Sequence, residues 1–373
     1  MLRLLHTADV HLGARHEGLG EAASALRERQ HAAFRATVDL ALAERVDVVL
    51  IAGDLFDANT ASRRTVERAI AELHRLATAR IRTVVLPGGR DAYTRSSVYR
   101  AYDFTALTGE DLLAVLTPDH PLVHLDSLDA VVVGPVAGDA LADIAGAPRT
   151  TWRIGVLHAP LGDGAGAVST GALEASGLDF VALGHDHAAA TGRAGSVAWA
   201  SAGSPEQVEV EREQPGTVHL VTLDVHGAAK TVAVEARRVG VVRHVELEVD
   251  AASVESTAAL VDRLRAEADP DAVLDVRLVG EKPDALDLDT ASVEDALRGA
   301  YLAVRVADQS LPPLTSGALP PPETIAGAFI RNVEAQIAAL DAASGPGAAE
   351  EAAELREVLR LGRRLLAGAE VAS

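Results

Sequence analysis

Four short segments of this 373-residue chain concentrate side chains that ligate divalent metals: Asp9-Val10-His11, Gly53-Asp54, His158 and Gly184-His185-Asp186-His187. Asp9, His11, Asp54, His158, His185 and His187 would suffice for a two-metal site. The chain contains no Cys, which excludes disulfides and thiolate ligation and leaves imidazole and carboxylate as donors. That donor set suits Mn, Zn or Fe without choosing among them. A carboxylate such as that of Asp54 can bridge two cations and neutralise charge that would push them apart; metals roughly 3.5 to 4 Å apart are typical of phosphoesterases. Residues i and i+2 of an extended stretch point to one side, so Asp9 with His11, and His185 with His187, are each expected to converge on a small volume. Gly13, Gly53 and Gly184 allow tight turns beside them. Taken singly, Asp-x-His or a Gly-Asp turn says little, and His185 with His187 could be a pH-sensitive surface pair. The combination carries the argument.

Each segment directly follows an apolar run that reads as a buried strand. Such runs span Arg3 to His6, Asp47 to Ala52, Thr83 to Leu86, Ala130 to Gly134, Arg153 to Leu157 and Asp179 to Leu183, and they alternate with helical patterns. Phe34, Val38, Ala41 and Leu42 mark one apolar helix face; Val66, Ile70, Leu73 and Ala77 mark another. This alternation indicates a layered α/β architecture, in which strand carboxyl ends form a common rim where distant loops can meet. From about Val241 the texture becomes strand, helix, strand, helix, strand: Val242 to Val249, Ser253 to Glu267, Ala272 to Leu278, Val293 to Gly299 and Tyr301 to Val306. The expected organisation is a main domain over 1–240, a small α+β capping domain over 241–306, a Pro-rich linker over 307–322 and a helix pair over 323–373. The first helix of that pair aligns Ile325, Phe329, Val333, Ile337 and Leu340. After Gly345-Pro346-Gly347, the second aligns Leu355, Val358, Leu359, Leu365 and Leu366.

Aromatic residues are 3% of the chain, so the core must be aliphatic. The formal net charge of -20 argues against a protein that coats nucleic acid. Charge is nevertheless segregated: residues 51–100 carry nine Arg against five acids, and residues 251–300 twelve acids against five bases. Only the first half offers phosphate a landing face. The N-terminus lacks the apolar stretch of a signal peptide and no 18-residue apolar span follows, so a soluble cytoplasmic protein without a membrane segment is expected.

His6-Thr7-Ala8-Asp9-Val10-His11-Leu12-Gly13, Ala52-Gly53-Asp54-Leu55-Phe56-Asp57 and Leu183-Gly184-His185-Asp186-His187 resemble the SbcD-type DNA repair nucleases, which are calcineurin-like metallophosphoesterases. The resemblance holds in order through about residue 210, including Ala202-Gly203-Ser204-Pro205-Glu206. It implies an α/β/β/α sandwich, one or two divalent ions, usually Mn, and attack of activated water on phosphorus. It also implies that Asp9, His11, Asp54 and His187 hold one metal, with Asp54, His158 and His185 contributing to the second. The partners it implies are DNA, a second copy of the chain, and an SMC-like ABC ATPase of the SbcC kind docked by the tail helices.

One segment departs from the family. Where its members carry Gly-Asn-His-Asp, with Asn a metal ligand and His assisting cleavage, this chain reads Gly88-Gly89-Arg90-Asp91. Gly89 offers no ligand atom, and Arg90, at the position of the catalytic His, cannot exchange a proton at any relevant pH. Arg90 could still clamp a phosphate oxygen. Asp57 and Asp91 are candidate partners that orient ligands, or cap helices and turns; Asp186 has no assigned role. His16, His31, His74, His120, His124 and His219 fall outside the motifs and are read as structural or surface residues. Three functions follow: a metal-dependent DNA phosphodiesterase of reduced activity, a metal-binding scaffold subunit of an SbcCD-like complex, and a small-molecule phosphodiesterase.

Overall fold

β-branched and aliphatic runs bounded by Gly, Asp and Pro form short buried strands, and the 3.6-residue apolar stripes between them lay helices on the resulting sheets. The computed structural model describes the chain except for residues 18, 21, 105–111, 138–139, 142–149, 210–215, 228, 284–285, 287, 311–319, 343–346 and 367–373. The core of the expected Pro-rich linker and the Gly345-Pro346 turn therefore lie outside the described residues.

The chain divides into two compact units, Met1–His244 with Asp271–Val273, and Val245–Pro270 with Leu274–Ser373. The first runs β1 (Leu2–Thr7), α1 (Ala22–Glu44), β2 (Val48–Ala52), α2 (Arg63–Thr78), β3 (Arg82–Leu86), the single turn α3 (Val98–Ala101), β4 (Leu113–Val115), β5 (Leu122–Leu125) and β6 (Ala130–Val133). It continues through a small pair, β7 (Pro135–Ala137) and β8 (Ala140–Leu141), to β9 (Trp152–His158), α4 (Thr170–Ala175), β10 (Phe180–Gly184), β11 (Ala190–Ala194), β12 (Val197–Ser201), β13 (Thr217–His226) and β14 (Ala229–Arg238).

Two six-stranded sheets result, ordered β14-β13-β1-β2-β3-β4 and β11-β12-β10-β9-β6-β5. Strands β1 to β4 are mutually parallel, as are β12, β10, β9 and β6, with antiparallel strands at the edges. Leu4, Leu50 and Val84 of the first sheet meet Val132, Ile154 and Phe180 of the second in a core between the sheets. Phe34, Val38, Val66 and Leu73 pack α1 and α2 on the outer face of the first sheet, and Leu173 packs α4 on the second. This is the expected α/β/β/α sandwich. All six strands expected in the first half are present. The ten-residue hairpin β13–β14 has no counterpart among the sequence expectations, because β14 alternates exposed and half-buried side chains at an edge and lacks a continuous apolar run.

Both helices of the first βα units end alike. Arg45 N–H donates to Leu42 O and Val46 N–H to Ala41 O; Arg80 N–H donates to Ala77 O and Ile81 N–H to Leu76 O. These are Schellman turns, with Arg in the left-handed position that usually holds Gly (φ 51° and 62°) and a buried apolar residue next. The Glu206 carboxylate, buried after β12, accepts N–H groups from Gln207, Val241 and Val242 at 2.9, 3.0 and 3.1 Å and so anchors the end of this unit.

The second unit carries most of the sheet β15 (Arg243–Asp250), β16 (Ala272–Val279) and β17 (Ala303–Asp308), with α5 (Thr257–Ala266) and α6 (Thr290–Ala296) between the strands. Helices α7 (Ile325–Ala342) and α8 (Ala348–Leu366) form an antiparallel hairpin around Ile330, Val333 and Leu359. Gly362 sits against the Phe329 ring, where a Cβ would clash. The ion pairs Arg356–Asp341 (2.6 Å) and Arg363–Glu334 (2.7 Å) flank the seam. Of the residues on the expected stripes, Ile325, Val358, Leu365 and Leu366 remain exposed.

His6 and His219 face each other across the β1–β13 ladder, ring centroids 6.0 Å apart. Both His6 ring nitrogens and His219 Nδ1 lack hydrogen-bond partners among the described residues. Burial pulls His6 down to about 3 and His219 to about 4. Both are therefore neutral in the fold, whereas the unfolded chain takes up their protons below about pH 6.5. Stability is constant above that pH and falls as pH drops towards 4, by several kcal/mol for the pair in order of magnitude. Urea unfolding between pH 7.5 and 4.5 should show this loss, and a His6→Leu/His219→Leu variant should show a shallower slope.

Candidate metal centre

Asp9, Asp54, His158 and His185 sit at the carboxyl ends of β1, β2, β9 and β10, parallel strands of the two facing sheets. The extended-strand argument for their convergence is corrected by the backbone. Asp9 and His11 have φ near 50°, Asp54 49° and His185 93°, all left-handed and unusual for residues with a Cβ. Each chain kinks as it leaves its strand and turns its side chain inward. Backbone bonds hold the kinks: Asp9 N–H donates to Gly53 O, His11 N–H to Asp54 O and Leu12 N–H to Leu55 O. Glycine is obligatory at two approaches, since a Cβ on Gly53 would enter the His158 ring and one on Gly184 would strike Ala52 O.

Two groups of donor atoms form, each with all atoms within 4.8 Å of one another: Asp9, His11 and His187, and Asp9, Asp54 and His158. Asp9 belongs to both. The Asp54 Oδ2 atom also lies between them, 3.3 Å from His158 Nε2 and 3.8 Å from His11 Nε2. His185 belongs to neither group among the described residues. It is exposed, its ring edge-on to that of His158 at 5.4 Å, and its N–H donates to Asp9 Oδ2 at 3.0 Å.

The imidazoles are oriented from behind. His11 Nδ1 bonds Asp57 Oδ1 at 3.1 Å, His158 Nδ1 bonds Ala52 O at 3.0 Å and His187 Nδ1 bonds Glu209 Oε1 at 3.1 Å. Acceptors at Nδ1 fix the proton there and leave the lone pair on Nε2. His11 Nε2 is buried with no hydrogen-bond partner among the described residues. A lone pair so placed beside two carboxylates is what a divalent cation would satisfy, so the residues fit the group that the donor set calls for. Asp57 thus stands where it can orient a ligand. Glu209 has no place among the sequence expectations, because an acid 22 residues beyond His187 carries no signal in sequence.

The electrostatics agree. Burial pushes Asp9 up to about 7 against the pull of His158 and His11. For His158, burial is outweighed by Asp54 and Asp9, which raise it to about 9. Asp54 is held low by His158 and by the Arg90 N–H, despite burial. A buried cluster that binds a proton to offset its acids is one that a cation can load by displacing that proton.

The altered loop keeps its backbone fastenings. Arg90 N–H donates to Asp54 Oδ1 at 2.7 Å, and the buried Asp91 carboxylate accepts Gly88 N–H (2.7 Å), Phe56 N–H (3.1 Å) and Tyr99 O–H (2.6 Å). Burial raises Asp91, and burial with the Asp91 charge holds Tyr99 well above its usual range. A Cβ on Gly88 would collide with Asp54, whereas one on Gly89 would meet nothing within 4 Å. The Arg90 side chain is exposed. Of the other histidines, His16 is buried against Gln30 (3.1 Å) and His219 faces His6.

A fold of this kind with paired histidine–carboxylate groups at its strand ends defines a metallophosphoesterase, and the chain belongs to the calcineurin-like phosphoesterase family, which matches residues 2–189. Among individual proteins, it is 30% identical over 223 residues to the DNA double-strand break repair protein Mre11 of Saccharolobus solfataricus, covering 57% of this chain and 56% of that protein. It is 38% identical over 98 residues to the nuclease subunit of SbcCD from Rhodobacter capsulatus, covering 25% of this chain and 22% of that one. The chain spans about half the length, or less, of these curated relatives. The solved structure of TT1561 of Thermus thermophilus superposes with a TM-score of 0.41 at 15% identity, over 64% of this chain and 99% of that one.

Two substitutions test the loop geometry. Gly88→Ala should lower the melting temperature and weaken Mn binding, because its Cβ displaces Asp54, while Gly89→Ala should leave both unchanged. Asp57→Ala should weaken Mn binding about 10- to 100-fold by freeing the His11 ring, as read by calorimetric titration of the metal-free protein.

Proposed function

We propose that this chain is a metal-dependent phosphodiesterase that acts on DNA in repair, with catalysis lowered by Gly89-Arg90. The observation that carries the reading is the pair of donor groups sharing Asp9, with Asp54 Oδ2 between the His11 and His158 Nε2 atoms. In this reading Asp9, His11 and His187 ligate one cation, and Asp9, Asp54 and His158, with His185 at the rim, ligate a second. Bound divalent ions, Mn foremost and Zn or Fe as alternatives, would supply water acidified enough to attack at neutral pH and positive charge against the phosphoryl oxygens.

The chain's own residues do the rest. Asp57, Ala52 O and Glu209 keep three imidazoles in the ligating tautomer. Arg90, exposed beside the site, is placed to hold a non-bridging phosphate oxygen but has no proton to exchange. Arg95 and Arg100 are also exposed on the segment after β3, Arg100 stacked on the Tyr93 ring at 4.3 Å. Three arginines of α2 are instead matched by acids: Arg63 by Glu67, Arg68 by Glu28, and Arg75 by Asp39 and Glu72. The phosphate-facing charge is thereby narrowed to the loop over the metals. The likeness to Mre11 and the SbcCD nuclease subunit supports DNA as the substrate.

An SMC-like ABC ATPase of the SbcC kind and a second copy of this chain complete the proposed assembly. The exposed apolar residues of the α7–α8 hairpin, Ile325 at 83% and Leu365 at 59% exposed, are suited to such docking. No described helix is long and apolar enough to cross a membrane, and the proposed location is the cytoplasm.

Gly89-Arg90 also favours a second reading, a metal-binding scaffold subunit. Hydrolysis of bis-p-nitrophenyl phosphate and linear duplex DNA with Mn separates the two. Metal-dependent turnover lost in Asp54→Ala is the expected result, with a gain of about 10²- to 10⁴-fold in a Gly89→Asn/Arg90→His variant. Stoichiometric Mn binding without turnover in either the native chain or the double variant would favour the scaffold.

A further inference from the structure

At the amino-terminal ends of the parallel strands, the rim opposite the metal centre, a cleft of about 360 Å³ opens between the two sheets. Five-residue strands separate the two rims by roughly 16 Å. The cleft is lined by Arg45, Arg80, Arg82 and Asp47, with Leu42, Val46, Ile81 and Leu128 as its apolar wall. Three guanidiniums against one carboxylate leave a net positive lining in a chain whose formal charge is -20. The Asp47 carboxylate is already engaged, accepting the Arg3 N–H at 2.8 Å. None of the three guanidiniums has a hydrogen bond or ion pair with a described residue, in contrast to Arg63, Arg68 and Arg75 on the neighbouring helix.

The way these arginines are held adds a second observation. Arg45 and Arg80 occupy the left-handed positions of two Schellman turns, at φ 51° and 62°. Glycine takes that conformation without strain and is the usual occupant. Arginine stands in both turns despite the strain, and both turns, with Arg82 at the start of β3, line one cleft. The long side chain near a helix carboxyl end also favours the helix dipole. That explanation does not require two turns and a strand to deliver unpaired guanidiniums to a common volume.

We propose that this cleft is a second binding site, for an organophosphate of nucleotide size, separate from the metal centre. Arg45, Arg80 and Arg82 would hold the phosphate through charge-assisted hydrogen bonds. The wall of Leu42, Val46, Ile81 and Leu128 would cover the carbon skeleton. A volume of about 360 Å³ falls in the range of small-molecule pockets. The inference rests on this cleft alone and stands independently of the proposed nuclease activity.

The test is calorimetric titration of the full-length chain, in EDTA so that the metal centre is not loaded, with deoxyadenosine monophosphate and with inorganic pyrophosphate. The native chain should bind the nucleotide at least about tenfold more tightly than pyrophosphate. Arg82→Ala, Arg45→Gly and Arg80→Gly should each weaken it about tenfold or more. The glycine variants keep the result interpretable: relieved of left-handed strain, they should melt no lower than the native chain while losing the ligand-induced rise in melting temperature. Equal affinity for pyrophosphate would overturn the role given to the apolar wall. No binding at millimolar ligand, or binding untouched by all three substitutions, would overturn the site.

Discussion

The Asp9 carboxylate, buried at the end of β1 and shared by two groups of metal-type donors, is the constraint around which the rest of this molecule is arranged. An ionised acid in that position needs compensating positive charge. The chain surrounds it with the His11, His158 and His187 imidazoles and the His185 N–H. Those partners come from loops after β1, β9 and β10. The two sheets must therefore face each other with their strand ends in register, and each loop must turn sharply inward. The left-handed Asp9, His11, Asp54 and His185, and the glycines at 53 and 184 that permit close approach, are the local expression of that demand.

The loop of residues 88–91 separates scaffold from chemistry. Its hold on the centre runs through backbone and carboxylate: Arg90 N–H on Asp54, and Asp91 on Gly88, Phe56 and Tyr99. None of those bonds depends on the side chains at positions 89 and 90. Substitution there can change ligand count and proton transfer without dismantling the site, which is how a chain can keep an orderly metal centre while departing from its family where catalysis is tuned.

The opposite rim follows from the same topology. Parallel strands joined by helices present their carboxyl ends to one side and the turns entering each strand to the other. Here those turns carry arginine in both of the first two βα units, giving the molecule chemically distinct poles: histidine and carboxylate at one, unpaired guanidinium at the other. The second unit adds a helix hairpin whose seam is closed by Ile330, Val333 and Leu359, while other apolar residues remain exposed.

Much of this is legible in the sequence for identifiable reasons. Continuous apolar runs such as Val48–Ala52 and Phe180–Gly184 can only be buried strands in a layered sheet, so the α/β/β/α order and the placing of ligands after strands follow from local pattern. Asp9, His11, Asp54, His158 and His187 stand out because their spacing repeats a motif. What pattern could not reveal is whatever depends on contact between distant segments. The hairpin β13–β14 has no apolar run on its exposed strand. Glu209 is an ordinary acid until the fold brings it to His187. The sharing of Asp9 between both donor groups, where the sequence points to Asp54 alone as the bridge, depends on left-handed kinks in place of an extended strand. Residue type and short-range spacing are written in the chain; which atom of a carboxylate faces which nitrogen is decided only when two sheets pack and burial forces every polar group to find its partner.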